Sequence, residues 1–376
     1  MIRPDLAQIP AYVPGTVGAE MLKLSSNEMT LPPLPAVQAA VADCAARANR
    51  YPDMGAVALR EALAGYLGLD PAEVAVGCGS TALCQQLIQA TCAEGDEVIF
   101  AWRSFEAYPI LARVAGATPV PVPLDAGHRH DLDAMAAAIT GRTRLIFVCN
   151  PNNPTGTTLT AEELEGFLAK VPGDVVVALD EAYLEFADGF DPADPAAALP
   201  GTPNAVQVAR AHRNVVGLRT FSKVWGLAGL RVGYLFGDAG LVEAVQKVAI
   251  PFSVNAPAQA AALACLAEDA RAELLGRVGE VAAERERLTR MIAAAAGEGA
   301  VVPGAQGNFL WIPEDRAADL GRVAAGADPA PADAAGLEAL LAARGVLVRC
   351  FPGEGIRVTV TSPAESDRLL AALGLG

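Results

Sequence analysis

The chain has 376 residues, of which 52% are apolar and 19% charged, enough to bury a sizeable core, most naturally in two lobes, and too apolar for global disorder. A formal net charge of −15, from 28 Lys and Arg against 43 Asp and Glu, argues against nucleic acid or an anionic membrane as the main partner, because phosphate binding needs clustered bases. Seven Cys without metal-ligand spacing and three His, two of them (His128 and His130) in the turn-like "DAGHRHD", predict no metal site. The start "MIRPDLAQIPAYVPG" lacks an apolar signal core and no run reaches transmembrane length, so a cytoplasmic protein is expected.

From about position 74 to 248, short apolar runs alternate with helix-like segments. "EVAVG" leads into "STALCQQLIQATCA"; "DEVIFA" into "FEAYPILARVAGA"; "TPVPVPL" into "LDAMAAAIT". "RLIFVCN" then leads into "TAEELEGFLAKV", and "VVVALDEAY", "NVVGLRTFS" and "RVGYLFG" follow. Near-continuous Val, Ile, Leu and Phe runs read as strands buried on both faces. Their alternation with helices predicts a large, mostly parallel sheet between helices, with ligands beyond the carboxyl ends of its strands. Residues 46–255 are taken as this large domain. Residues 1–45 and 256–376 are taken as an N-terminal arm and a smaller α+β domain, with a long helix to about position 296 and strands at "NFLWIP", "GVLVRCF" and "IRVTVTS". The Ala/Asp/Pro-rich segment 315–336 reads as a helix end and an exposed loop.

The strand ends carry the chemistry. "VGCGSTALCQQ" sets Gly77, Gly79, Ser80 and Thr81 between a strand and a helix, where free N–H groups face an anion; Ser80 reads equally well as a simple N-cap. "FVCNPNNPTGT" presents Asn153 from a stiff turn. "VVVALDEAY" ends an apolar strand in Asp180, Glu181 and Tyr183, and a carboxylate there is costly unless a cation neutralises it. "TFSKVWGLAGLRVGY" places Lys223 and Arg231 in an otherwise apolar run beside Thr220 and Ser222. A poorly solvated lysine has a lowered pKa and forms Schiff bases, and an arginine fork suits a phosphate. Alone, Lys223 reads as a snorkelling surface lysine. Together, an amine, a phosphate clamp, a carboxylate, a phenol and a fixed amide match one compact ligand, pyridoxal 5′-phosphate.

Asn153–Gly156 ("NPTG"), Asp180–Tyr183 ("DEAY") and the span from Ser222-Lys223 to Arg231 resemble the signature of the fold-type I pyridoxal-phosphate aminotransferases, more narrowly the histidinol-phosphate aminotransferase branch. "PAYVPG", "LSSNE", "NRYPD", "QGNFLWI" and "IRVTV" follow in the family's order, so the likeness runs through the whole chain. Within the branch, "VGCGSTALCQQ" and "FAWRSFEAYP" are similar to the aromatic (phenylalanine) aminotransferases; Trp225 departs from the Tyr or Phe usual there. The resemblance implies the type I α/β fold, with a mostly parallel seven-stranded sheet. It implies Lys223 as the Schiff-base lysine that moves a proton on the substrate, and Asp180 on the pyridine nitrogen. It also implies Asn153 and Tyr183 on the ring hydroxyl, Phe105 stacked on the ring, and Gly79, Ser80, Thr81, Thr220, Ser222 and Arg231 around the phosphate. Tyr51 is implied to reach the phosphate of a second subunit, which makes the active unit a homodimer. Arg357 is implied on the substrate carboxylate, with Arg349, Tyr12, Asn27 and Asn308 lining the substrate site.

The expected reaction is a ping-pong transfer of an amino group between Phe, Tyr or Trp and 2-oxoglutarate. Histidinol phosphate is the alternative donor, since Arg349 and Arg357 both suit a phosphate. A decarboxylase acting on a phosphorylated amino acid shares the scaffold. A non-catalytic sensor of this fold is disfavoured, because nothing basic or DNA-binding precedes it and both Lys223 and Asp180 are present.

Overall fold

The structure is a computed structural model that describes residues 21–325 and 330–376. Twelve strands appear among these residues: β1 (Leu22–Lys23), β2 (Val74–Gly77), β3 (Glu97–Trp102), β4 (Thr118–Pro123), β5 (Thr143–Cys149), β6 (Val176–Asp180), β7 (Val215–Thr220), β8 (Gly233–Gly237), β9 (Phe309–Pro313), β10 (Val346–Leu347), β11 (Arg349–Phe351) and β12 (Gly355–Thr359). Seven of them form one sheet in the order β2-β8-β7-β6-β5-β3-β4. Only β8 runs against its neighbours; every other pairing in the sheet is parallel. The expected mostly parallel seven-stranded sheet is therefore present.

The alternation of side chains explains why these strands are apolar throughout. Val98, Phe100, Leu145, Phe147, Val176 and Ala178 face one core, while Ile99, Ala101, Ile146, Val148, Val177 and Leu179 face another. The first core is closed by helices Ser80–Thr91, Ala107–Ala115 and Ala239–Lys247 through Leu83, Leu87, Tyr108, Leu111, Val242 and Val245. The second is closed by helices Ala161–Leu168 and Ala205–Ala211 and continues into the C-terminal elements. Burying each large aliphatic side chain contributes about 1.5–3 kcal/mol, so a period-2 polar pattern would cost one of the two layers.

The remaining strands form an antiparallel sheet in the order β11-β12-β9 and a parallel pair of β1 with β10. The 29-residue helix Glu268–Ala296 leads into β9. The segment expected to be a helix end and loop from 315 differs. Helix Glu314–Ala325 takes up the first half of 315–336, burying Ala317, Leu320 and Ala324, and Asp333 caps the next helix, Ala334–Ala343. The apolar stripe at i, i+3 and i+7 is two alanines around a single leucine, so the surrounding Asp, Gly and Pro made it read as polar loop.

Beneath the carboxyl edge of the sheet lies one fully buried ion pair. Glu181, directly after β6, meets Arg219 of β7 at 2.8 Å, and each side chain is 1% exposed. Arg219 also donates to Asn204 Oδ1 at 2.9 Å, and Glu181 Oε1 accepts from the Ala205 amide at 2.6 Å. Arg219→Met is expected to destabilise the fold by about 3–5 kcal/mol in urea unfolding, because it strands the carboxylate. Arg219→Met combined with Glu181→Leu should recover most of that loss; a double variant no more stable than the single one would contradict this account.

Candidate active site

The topology brings the ends of β2, β3, β5, β6 and β7 to one edge, where β8 begins. Gly77 and Thr220 both pair with Gly233 across the register, and Cys149 pairs with Asp180. A cavity of about 820 Å³ opens there, of the size that holds small ligands. It is lined by Ser80, Thr81, Phe105, Asn153, Asp180, Tyr183, Thr220, Ser222, Lys223 and Arg231, and on the β11–β12 side by Arg349 and Arg357. These twelve were all expected at the site.

One end of the cavity suits an anion. Gly79 has φ 76°, and a Cβ on it would stand 2.4 Å from Arg231 Nη2. Likewise a Cβ on Gly233 would stand 2.5 Å from the Ser80 amide nitrogen. Gly233 is therefore required by its close approach to backbone and Gly79 by its left-handed φ, and the guanidinium lies against the start of helix Ser80–Thr91. Arg231 Nη1 donates to Ser222 Oγ at 3.2 Å, and Thr220 Oγ1 donates to the same oxygen at 3.0 Å.

At the floor, Asp180 is 3% exposed. It accepts from Tyr108 Oη at 2.7 Å and from the Ala182 amide at 3.2 Å, and no ion pair reaches it among the described residues. Burial pushes its pKa up, while the Tyr108 and Ala182 hydrogen bonds and the Lys223 charge pull it down. Tyr108 is itself held by stacking on Phe147, with ring centroids 4.4 Å apart. A buried carboxylate with neutral donors only is a receptor for a cationic group.

Lys223 Nζ donates to the Ser26 carbonyl at 3.3 Å and lies 5.3 Å from the centre of the Tyr183 ring. Burial lowers its pKa to about 7; the Arg357 and Arg231 charges push the same way, against Glu28 and Asp180. Arg357 donates to Asn153 Oδ1 and to the Ser25 carbonyl, each at 2.6 Å. The bond to Arg357 orients the amide of Asn153, leaving its NH2 as the donor for a ligand. Tyr183, whose pKa burial pushes up to about 12, accepts from Asn27 Nδ2 at 2.9 Å.

Three of the expected residues lie elsewhere. Asn27 is fully buried behind Tyr183 and bonded to Thr359, so it orients the phenol and does not line the cavity. Asn308 is fully buried outside the cavity wall, with neither end of its amide hydrogen-bonded among the described residues. Tyr51 is 82% exposed and stacked on Phe252, away from the cavity of its own chain. Tyr12 lies outside the described residues. Sequence reasoning missed Tyr108 and the carbonyls of Ser25 and Ser26; the only signal for Tyr108 was a polar aromatic on an otherwise apolar helix face.

With no ligand bound, carbamylation of Lys223 by cyanate, followed by mass spectrometry, should rise with pH through a midpoint of about 7. Only the neutral amine attacks, and exposed lysines should follow near ~10.4. Arg357→Met removes a repelling charge and should move the midpoint upward; an unmoved midpoint would contradict the electrostatic reading.

The chain matches the model of the family "Aminotransferase class I and II" over residues 19–373. It is 54% identical over 372 residues to an aromatic amino acid aminotransferase of Corynebacterium glutamicum, covering 99% of this chain and 98% of that protein. It is 54% identical over 373 residues to one of Rhodococcus jostii, covering 98% and 94%. Among solved structures it is similar to histidinol-phosphate aminotransferase from Sinorhizobium meliloti in complex with pyridoxal-5′-phosphate, with a TM-score of 0.80 and 26% identity, covering 99% of this chain and 96% of that one. The Thermus thermophilus aspartate aminotransferase tetra mutant, with a TM-score of 0.78 and 22% identity over 100% of this chain and 98% of that one, shares the fold. By the extent of these matches and by its architecture, the chain belongs to the class I and II aminotransferases.

Proposed function

We propose that this aminotransferase uses pyridoxal 5′-phosphate to move an amino group between an aromatic amino acid and 2-oxoglutarate, in two half-reactions that alternate at one site. The observation that carries the cofactor is the placement of Lys223, Asp180 and the Gly79–Ser80–Arg231 anion site around a single cavity. The cofactor fits the particular deficits there. Asp180 lacks a cation and the pyridinium supplies one. The close-packed glycines and Arg231 leave a place for a phosphate. Lys223 is an amine of about neutral pKa. When bound, the cofactor supplies an aldehyde that accepts amines and a ring that withdraws electrons.

This chain's own residues do the rest. Asp180, held from behind by Tyr108, would keep the ring nitrogen protonated. Asn153 and Tyr183 would donate to the ring hydroxyl, and Phe105 would pack on the ring. Gly79, Ser80, Thr81, Thr220, Ser222 and Arg231 would hold the phosphate. Arg357 holds the substrate carboxylate as a fork, and Arg349 lies beside it across the β11–β12 register. Lys223 Nζ takes the proton from the substrate Cα, and a pKa of about 7 leaves much of it unprotonated near neutrality.

The donor class follows from the names of the relatives that are 54% identical, and from the apolar wall made by Ile110, Leu347 and Val348. Histidinol phosphate remains the second reading, favoured by the Sinorhizobium meliloti neighbour. We read residues 46–255 as the cofactor-binding domain, and 1–45 with 256–376 as the smaller one. The β1–β10 pairing and the bond from the Thr359 amide to Leu24 O support that division. We infer a homodimer, with Tyr51 reaching the phosphate of the second site. Its support is an exposed apolar patch of Tyr51, Met54, Val57, Ile250 and Phe252, which a second copy would bury. A cytoplasmic location accords with the absence, among the described residues, of any helix long and apolar enough to cross a membrane.

Steady-state rates on phenylalanine, tyrosine and histidinol phosphate test the donor. Phenylalanine or tyrosine should win, and a preference for histidinol phosphate of about a hundredfold, some 2.7 kcal/mol, would overturn the assignment. Asp180→Asn should lower kcat by about 10- to 100-fold, the loss of one charge-assisted bond of about 1.5–3 kcal/mol. A variant as fast as the parent enzyme would remove Asp180 from its role.

A further inference from the structure

We propose that Asn152 is a positioning residue for the cofactor ring: it ties the loop that carries Phe105 to the turn that carries Asn153, and so fixes the contact on the ring face relative to the contact at the ring edge. The inference rests on the cofactor reading of the cavity and deepens it.

The loop and the turn leave neighbouring strands. The register of β3 with β5 ends at Phe100 opposite Phe147. Beyond that point each strand follows its other neighbour: β3 runs on to Trp102 opposite Pro123 of β4, and β5 to Cys149 opposite Asp180 of β6. The ladder between them thus stops short of the cavity, yet Phe105 and Asn153 both line it. Asn152 spans the gap. It is fully buried, and both ends of its amide are bonded. Nδ2 donates to Arg103 O at 3.2 Å and to Thr155 Oγ1 at 2.9 Å, and Oδ1 accepts from Ser104 Oγ at 2.8 Å. One side chain therefore holds the two residues directly before Phe105. Its backbone closes the turn around Asn153, accepting from the Gly156 amide at 2.7 Å and donating to Thr157 O at 2.9 Å.

Both ends of the tie are anchored in turn. The Arg103 guanidinium lies 4.1 Å from the Trp102 ring centre and 5.0 Å from that of Phe351, and meets both carboxylate oxygens of Glu354 at 2.5 Å. Thr155 Oγ1 lies 2.8 Å from Thr157 Oγ1, which donates to His128 O at 3.0 Å. Phe105 meets Tyr108 edge-on at 5.4 Å, and Tyr108 holds Asp180. Asn152 itself does not line the cavity, so it acts through these neighbours. A buried amide bonded at both ends has one orientation. Removing it strands the Arg103 carbonyl and the Ser104 hydroxyl, and frees the Phe105 loop to shift against Asn153. Stacking depends on such offsets.

The affinity for pyridoxal phosphate and the visible circular dichroism of the bound cofactor read the setting of the ring without turnover. Asn152→Ala should raise the cofactor Kd by about tenfold and alter the amplitude of the visible band. Ser104→Ala, which removes one bond and keeps the buried amide, should shift both in the same sense, with a rise in Kd of about two- to fivefold. A cycle with Phe105→Leu separates positioning from general support. Added to Phe105→Leu, Asn152→Ala should raise Kd by less than about twofold further, whereas a merely structural role would cost the same factor in either background. If Asn152→Ala does not fold, Ser104→Ala in the two backgrounds gives the same decision. An unchanged Kd and dichroism, or losses that simply multiply with that of Phe105→Leu, overturn the inference and leave the cofactor reading standing. A parent protein that binds no pyridoxal phosphate overturns the cofactor reading and this inference with it.

Discussion

The site is organised by a charge that the protein buries without neutralising. Asp180 ends β6 between two fully packed layers, and its only partners among the described residues are a phenol and an amide. Glu181, one residue on, shows the alternative: there the chain supplies Arg219 and closes the pair completely. Two consecutive carboxylates thus leave the same strand end in opposite directions. One is satisfied inside the fold and stiffens it. The other is left facing the cavity, where its desolvation is relieved by whatever cationic group binds. Stability is withheld at 180 and supplied at 181, as expected where a fold keeps a receptor poised for a ligand.

The same logic governs the lysine. Lys223 sits among cations, with Arg357 and Arg231 both pushing its proton off. Those arginines are held in place by neutral acceptors: Asn153 and Ser25 for the first, Ser222 and Ala228 for the second. Close packing of Gly79 and Gly233 against Arg231 and Ser80 fixes one of these cations against a helix N-terminus, where an added methyl group would displace it.

Much of this was legible from local pattern. The apolar runs of β5 and β6 announced a sheet covered on both faces, and the motifs at their ends announced where a ligand sits, because strand end and chemistry are adjacent in sequence. What was not legible joins distant segments. Tyr108 supports Asp180 from 72 positions away, Asn27 orients Tyr183 from 156, and Glu106 meets Arg349 across 243. No spacing rule encodes such pairs; they exist only once the sheet order is set. Asn27 illustrates the consequence: its residue type suited the substrate, while its position makes it a support for the phenol. The helix over 314–325 was hidden for another reason, since an apolar face of two alanines and one leucine carries little hydrophobic signal.

Trp225 shows how a departure from a family pattern is absorbed. It is 1% exposed and does not line the cavity. Its indole donates to Glu185 Oε1 at 3.1 Å and meets the Tyr66 ring edge-on at 6.2 Å. Burial pushes the Glu185 pKa to about 7, against the opposing pull of Arg219 and of the indole bond. The larger ring therefore fills core volume behind Lys223, two residues away, and spends its one polar atom on a carboxylate already buried there. A Phe at 225 would leave Glu185 without that donor, and a Tyr would have to place its hydroxyl differently to replace it. The substitution thus acts on the packing that holds the lysine segment rigid, and the chemistry facing the cavity stays with residues 180, 223, 231 and 357.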